Sequence, residues 1–116
     1  MEKGEVRDYL AKNIAIGCIK NFLSDLKLTF KKAGSYYSIQ IDRYYFHINF
    51  NVSSTIKMKT YVAKEVNNEV ISHESGKIIY SYNKNDTKEV LDEVVLEVIN
   101  IIKNLHKASE FNINNL

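Results

Sequence analysis

The chain reads as an α+β fold in two layers: an antiparallel meander of five or six strands, with an N-terminal and a C-terminal helix packed on one face. Three observations predict this. Apolar and aromatic residues alternate with polar ones through Ser35–Val66, which is the period of half-buried strands. An apolar stripe at helical spacing precedes that stretch, and a second follows it. Neither helical stretch falls between two strands, so nothing supplies the crossover that parallel neighbours need.

The first helix is predicted over about residues 2–26. Val6, Leu10, Ile14, Cys18, Phe22 and Leu26 recur at i+4, and Ile19 and Leu23 widen the stripe. Such a broad stripe calls for cover on two sides. Gly17 inside it costs about 1 kcal/mol relative to alanine, a cost that a close approach by another element would justify.

The strands are predicted over about residues 27–82. Leu28 and Phe30 face one way, with Ala33–Gly34 as a turn. Tyr37, Ile39 and Ile41 point inward on the second strand. On the third, Tyr44, Phe46, Ile48, Phe50 and Val52 do so, and on the fourth Ile56, Met58, Thr60 and Val62. Asp42–Arg43, Ser53–Ser54 and Asn67–Asn68 separate them. Glu69–Glu74 and Lys77–Tyr82 read as a short hairpin about Ser75–Gly76, with Ile78, Tyr80 and Tyr82 inward.

The second helix is predicted over about 87–106. Asp86 and Glu89 stand at capping-box spacing. Leu91, Val94, Val95, Val98, Ile101, Ile102 and Leu105 form its stripe, and Lys103, His106 and Lys107 suit the negative end of its dipole. A tail over 107–116 carries Phe111, Ile113 and Leu116, too apolar for a solvated end.

Composition bounds the function. At 116 residues, 45% hydrophobic and 26% charged, the chain is expected to form one domain over 1–116 with an ordinary core. No apolar run reaches a membrane span, and the start MEKGEVRDYLAKN lacks the apolar segment of a secretory signal, so a cytoplasmic location is expected, with no membrane partner. Cys18 is the one cysteine, which suits a reducing compartment. Charge is unevenly placed. Seven Lys and Arg stand against one Asp between Lys27 and Lys64, and five acids against one Lys between Asp86 and Glu97.

Catalytic and cofactor signatures are absent. His47, His73 and His106 lie on separate elements; by parity His47 and His73 share the outer face, and without flanking acids or cysteines they read as surface residues rather than a metal or acid–base pair. Cys18 sits in an apolar helical stripe and reads as core. The four glycines make no phosphate loop, and Asp25–Lys27 and Asp86–Lys88 lack the preceding acidic strand end of a PD-(D/E)xK nuclease. The expectation is a protein without enzymatic activity, cofactor or metal.

The outer sheet face is the candidate site: Tyr36, Tyr45, His47, Asn49, Lys57, Lys59 and Tyr61, with Gln40 and Asn51 beside them. Aromatic rings with polar ends among amides and lysines suit burial against a partner protein, as in a small chaperone, an adaptor or an inhibitor carried by a mobile element. A second copy of the chain is a further candidate partner through the sheet edges. The alternative is a single-stranded nucleic acid stacked on Tyr45 and Tyr61 among Lys57 and Lys59; it ranks lower because arginine, the favoured reader of phosphate and base, is nearly absent. A third class, a small ligand between helices and sheet, would use the inward hydroxyls of Tyr37, Tyr44, Tyr80 and Tyr82.

Overall fold

The computed structural model describes the backbone of residues 1–21, 28–41, 44–50, 55–66 and 69–113; the side chains at 28, 41, 44, 61–66, 69–75 and 105–113 lie outside that description. The order is α1 (Lys3–Asn21), β1 (Leu28–Ala33), β2 (Tyr36–Ile41), β3 (Tyr44–Phe50), β4 (Thr55–Val66), β5 (Glu69–Ser81) and α2 (Lys88–Ile113). The five strands form one antiparallel sheet in the order β1-β2-β3-β4-β5, the meander expected from the alternation. Phe22, Leu23, Leu26, Asp42–Arg43, Asn51–Ser54 and Asn67–Asn68 fall outside the described residues.

One face of the sheet is apolar and carries both helices. Ile39, Phe46, Ile48, Phe50, Ile56 and Met58 are buried there, with Tyr37 and Tyr80 at the margins. Val6, Leu10, Ile14 and Cys18 of α1 and Leu91, Val95, Val98, Ile99 and Ile102 of α2 complete the same core. Burying a side chain of this size is worth about 1.5–3 kcal/mol, so this shared core is the main source of stability.

The two helices run parallel. Tyr9 Oη donates to Asp92 Oδ1 at 2.6 Å near their starts, and Lys103 Nζ donates to Asn21 Oδ1 at 3.2 Å farther on. Between these points Gly17 meets Ile99. A Cβ built on Gly17 would lie 2.1 Å from Ile99 Cδ1 and 3.2 Å from Cγ1. The glycine therefore is the site of close approach that its helical position suggested.

Several expectations need correction. Ile19 was expected to widen the buried stripe but is 67% exposed, because the helix turns that position away from both sheet and α2. Ile99 is buried although it lies off the predicted stripe. No hairpin forms about Ser75–Gly76: β5 is continuous from Glu69 to Ser81, with Ser75 opposite Thr60 and Gly76 opposite Lys59. β4 offers twelve residues of partner, and Gly76 lacks the positive φ a tight turn demands. Among the four glycines it is Gly34, at φ 57°, that takes that conformation, in the β1–β2 turn.

Ile78 is 54% exposed rather than inward. Ile56 pairs with Tyr80 but Lys57 pairs with Ile78, so Ile79 is the extra residue of a β-bulge and the alternation changes phase there. Lys77 consequently falls opposite Met58, and its Nζ lies 3.9 Å from Glu97 Oε1 on α2.

The start of α2 also differs. Thr87 is the cap: its Oγ1 accepts from Val90 N at 3.4 Å and its carbonyl from Leu91 N at 3.1 Å. That puts valine, not Glu89, at the third helical position, so the capping box does not form. The helix runs on to Ile113 instead of ending near 106, and no basic residue lies in its last turn. No glycine or proline interrupts 103–113, so the backbone has no reason to stop. Phe111 and Ile113 are thus helical; the side chains of Leu105, His106 and Phe111 and residues 114–116 lie outside the description.

The Gly17–Ile99 contact makes a testable statement. Gly17→Ala is expected to lower unfolding stability in urea by about 1 kcal/mol, because overpacking outweighs the helix-propensity gain. Adding Ile99→Val, which removes Cδ1, should recover most of that loss. Additive effects of the two substitutions would show that the helices do not meet there.

Candidate functional site: the open face of the sheet

Residues opposite each other in an antiparallel pair project to the same side, so the register assembles the outer face row by row. One row runs Gln40, Tyr45, Tyr61 and Glu74 across β2 to β5. The next runs Lys31, Ser38, His47, Lys59 and Gly76 from edge to edge. The third runs Ala33, Tyr36, Asn49, Lys57 and Ile78. All seven residues singled out from the sequence therefore occupy three adjacent rows on strands β2 to β4. For Tyr61 this is a statement of backbone register; its side chain, like Asn51, lies outside the description.

Both helices sit on the opposite face, and no described residue of these rows is buried. Tyr36 is 36% exposed, and Tyr45, His47, Asn49, Lys57 and Lys59 are half-buried among one another. The Tyr36 and His47 rings are diagonal neighbours, centroids 5.6 Å apart and tilted by 55°. Gln40 Nε2 donates to the Tyr45 hydroxyl at 3.2 Å, which holds that ring over β2. The assembled surface offers aromatic edges, amide and hydroxyl groups and lysine cations.

The opposite face spends its polar groups on the fold. Tyr37 Oη donates to Asp8 Oδ1 at 2.8 Å, joining β2 to α1. That bond, with the Arg7 guanidinium 3.1 Å from the same oxygen and Lys32 at 3.8 Å, holds the Asp8 carboxyl below the usual carboxylate range against a weaker opposing effect of burial. Burial, and then the bond to Asp8, pushes the Tyr37 hydroxyl up. Phe30 stacks on the Tyr37 ring at 5.1 Å, with Arg7 and Lys32 near 5.8 and 5.7 Å from its centroid.

Tyr80 Oη donates to Asp86 and accepts from Asn83 N at 3.3 Å; Tyr82 Oη donates to the Met1 carbonyl at 2.7 Å. Three of the four inward hydroxyls considered for a small-ligand pocket are thus satisfied by the protein itself, and the side chain of Tyr44 lies outside the description. The carboxylate partners Asp8 and Asp86 could not be paired with these tyrosines from spacing; Asp86 in particular serves Tyr80 rather than a helix cap.

Cys18 is buried, and burial pushes its thiol up to about 11, which keeps it protonated at neutral pH. His47 and His73 do not share a face: His47 pairs with Lys59 on the outer alternation, and His73 pairs with Val62 on the inner. The bulge at Ile79 is what shifts the phase of β5 relative to the sequence reading. Among the described residues no group of three His, Cys, Asp or Glu is placed to hold a metal ion.

No protein-family model, curated protein or solved structure matches the chain. Nor, among the described residues, is any helix long and apolar enough to cross a membrane.

The Tyr80 bond carries a pH signature. Burial, then the bond to Asp86, pushes the hydroxyl up to about 12 from an ordinary 10.0. A raised value stabilises the fold fully below pH ~10, and that contribution is lost as pH climbs through ~12. Tyr80→Phe should therefore cost about 1–2 kcal/mol near pH 7 and show a shallower fall in stability between pH ~10 and ~12. Parallel curves for the two proteins in urea titrations across that range would remove the bond from the account.

Proposed function

We propose that the protein is a non-enzymatic binding domain that works by burying the open face of its sheet against a partner protein. One observation carries this reading: the register gathers Tyr36, Tyr45, His47, Asn49, Lys57 and Lys59 into adjacent rows on the face that the helices leave uncovered. Aromatic residues on a firm scaffold contribute binding energy at low entropic cost, and half-buried side chains lose less freedom when a partner covers them. A small chaperone, an adaptor and an inhibitor all fit this mode of action. The setting we assign is cytoplasmic, in keeping with a free, buried Cys18.

The same face supports a second reading, single-stranded nucleic acid bound through Tyr45, Tyr61, Lys57 and Lys59. Lys31, Lys57 and Lys59 all fall on it by register, which is what favours a polyanion.

Immobilised protein, exposed to an extract of the source cells, separates these readings. Wild type and a helix-layer variant, Ile19→Ser/Leu96→Ser, should retain the same partner protein at physiological salt. Tyr36→Ser/Tyr45→Ser, shown by circular dichroism to be folded, should lose it by about tenfold or more. Retention by the Tyr36→Ser/Tyr45→Ser variant together with loss by the helix-layer variant would move the interface to the helices. In fluorescence anisotropy, oligo-dT binding that survives physiological salt and disappears in Tyr45→Ala/Tyr61→Ala would put nucleic acid first.

A further inference from the structure

We propose that two copies of the chain pair through the free edge of β5, so that two five-stranded sheets join into one of ten and the two α2 helices face each other beside the seam. The inference is independent of what the open face binds.

The two edges of the sheet differ. β1, at one edge, has six residues and carries Lys31 and Lys32 without an acid. Pairing that edge with its own copy would set four lysines side by side, the kind of charge that keeps a natural edge unpaired. β5, at the other edge, has thirteen residues. From Glu69 to Lys77 it pairs with β4 without irregularity, and its charges are mixed, Glu69 and Glu74 with Lys77. The bulge at Ile79 falls beyond that stretch. Nine residues of regular edge are a template for a further antiparallel strand, and a two-fold axis lets a second β5 supply it.

α2 makes the same side of the molecule apolar. Asp92, Ile99 and Lys103 mark its flank toward α1, through Tyr9, Gly17 and Asn21. Residues two positions further on stand about 200° around a helix. These are Val94, Ile101 and Leu105, and Val90 precedes Val94 by one turn. Val90 is 38% exposed, and Val94 and Ile101 are half-buried against the core. This flank lies toward β5: α1 is fastened to β2 and β1 through Asp8, whereas Glu97 of α2 meets Lys77 of β5. An apolar flank beside an unpaired edge is an arrangement that a second copy, bringing its own flank and edge, completes.

The lengths agree. Asp86 meets Tyr80 and Glu97 meets Lys77, so α2 runs antiparallel to β5. The helix covers about 24 Å from Glu97 to Ile113, and the strand about 26 Å from Lys77 to Glu69, so both reach the same end. There β4 runs four residues past Val62, which lies opposite the start of β3. There too α2 runs ten residues past Lys103, the partner of the last described residue of α1. A stable interface takes about 20–30 residues a side, and the thirteen of β5 with these ten of α2 fall in that range. The two-fold stands perpendicular to the joined sheet, so both open faces lie on one side of it.

The test uses the full chain. Sedimentation equilibrium between about 1 μM and 1 mM should give twice the 13.4 kDa of one chain. Leu105→Glu/Ala108→Glu, shown by circular dichroism to be folded, should weaken dimerisation about tenfold or more, and Ile19→Ser/Leu96→Ser, on the solvent side of the helical layer, should not. Hydrogen exchange reads the seam without any variant: the dimer protects consecutive amides through Glu69–Lys77, whereas a free edge protects alternate ones. A monomer across that range, a dimer with only alternate β5 amides protected, or a dimer indifferent to Leu105→Glu/Ala108→Glu overturns the proposal. Protection of consecutive β5 amides that appears only on adding cell extract replaces the second copy with another protein.

Discussion

The close approach of α1 and α2 is the constraint on which the rest of the molecule depends. Five strands span about 19 Å from edge to edge, and two helices packed 8–10 Å apart can cover an apolar face of that width only if they lie side by side without a gap. Gly17 makes the gap small enough: with no side chain there, Ile99 fills the space that a Cβ would occupy. Because both helices are needed on one face, none is left for the other. The open face follows from the helix pairing.

A second regularity ties the layers together. Tyr9 donates to Asp92 between the helices, Tyr37 to Asp8 between sheet and α1, and Tyr80 to Asp86 between the last strand and the turn that leads into α2. Each is a hydroxyl bonded to a carboxylate, stronger than a neutral hydrogen bond. The acids are concentrated where they fasten the helical layer. Lys32 of β1 takes part as well, 3.8 Å from Asp8 on the inner face, while Lys31, Lys57 and Lys59 fall on the outer face by register.

Much of this was legible in the residues. Strands β2 to β4 alternate aromatic and branched side chains with polar ones so regularly that the inner and outer sets could be named, and the register then placed the candidate site in three rows. What was not legible has physical reasons. A bulge adds one residue without any marker in the sequence, so Ile78 and His73 were assigned to the wrong sides. Gly76 resembles a turn residue, but the long β4 opposite it makes continued pairing the better use of its backbone. Asp86 has the spacing of a cap, yet Thr87 takes that role because Tyr80 claims the carboxylate. The Tyr–Asp bonds join residues up to 83 positions apart, beyond the reach of any local pattern.

The parallel pairing of the helices also orders events in time. α1 is made first among the elements and α2 last, and their contacts bridge 82 or 83 residues. A ribosome adding about 5–20 residues per second takes several seconds to cover that distance. Throughout that interval the meander can pair strand by strand, but Val6, Leu10 and Ile14 lack the part of the shared core that α2 supplies. The nascent chain therefore carries an incompletely covered apolar helix until α2 emerges, and α2 closes the core.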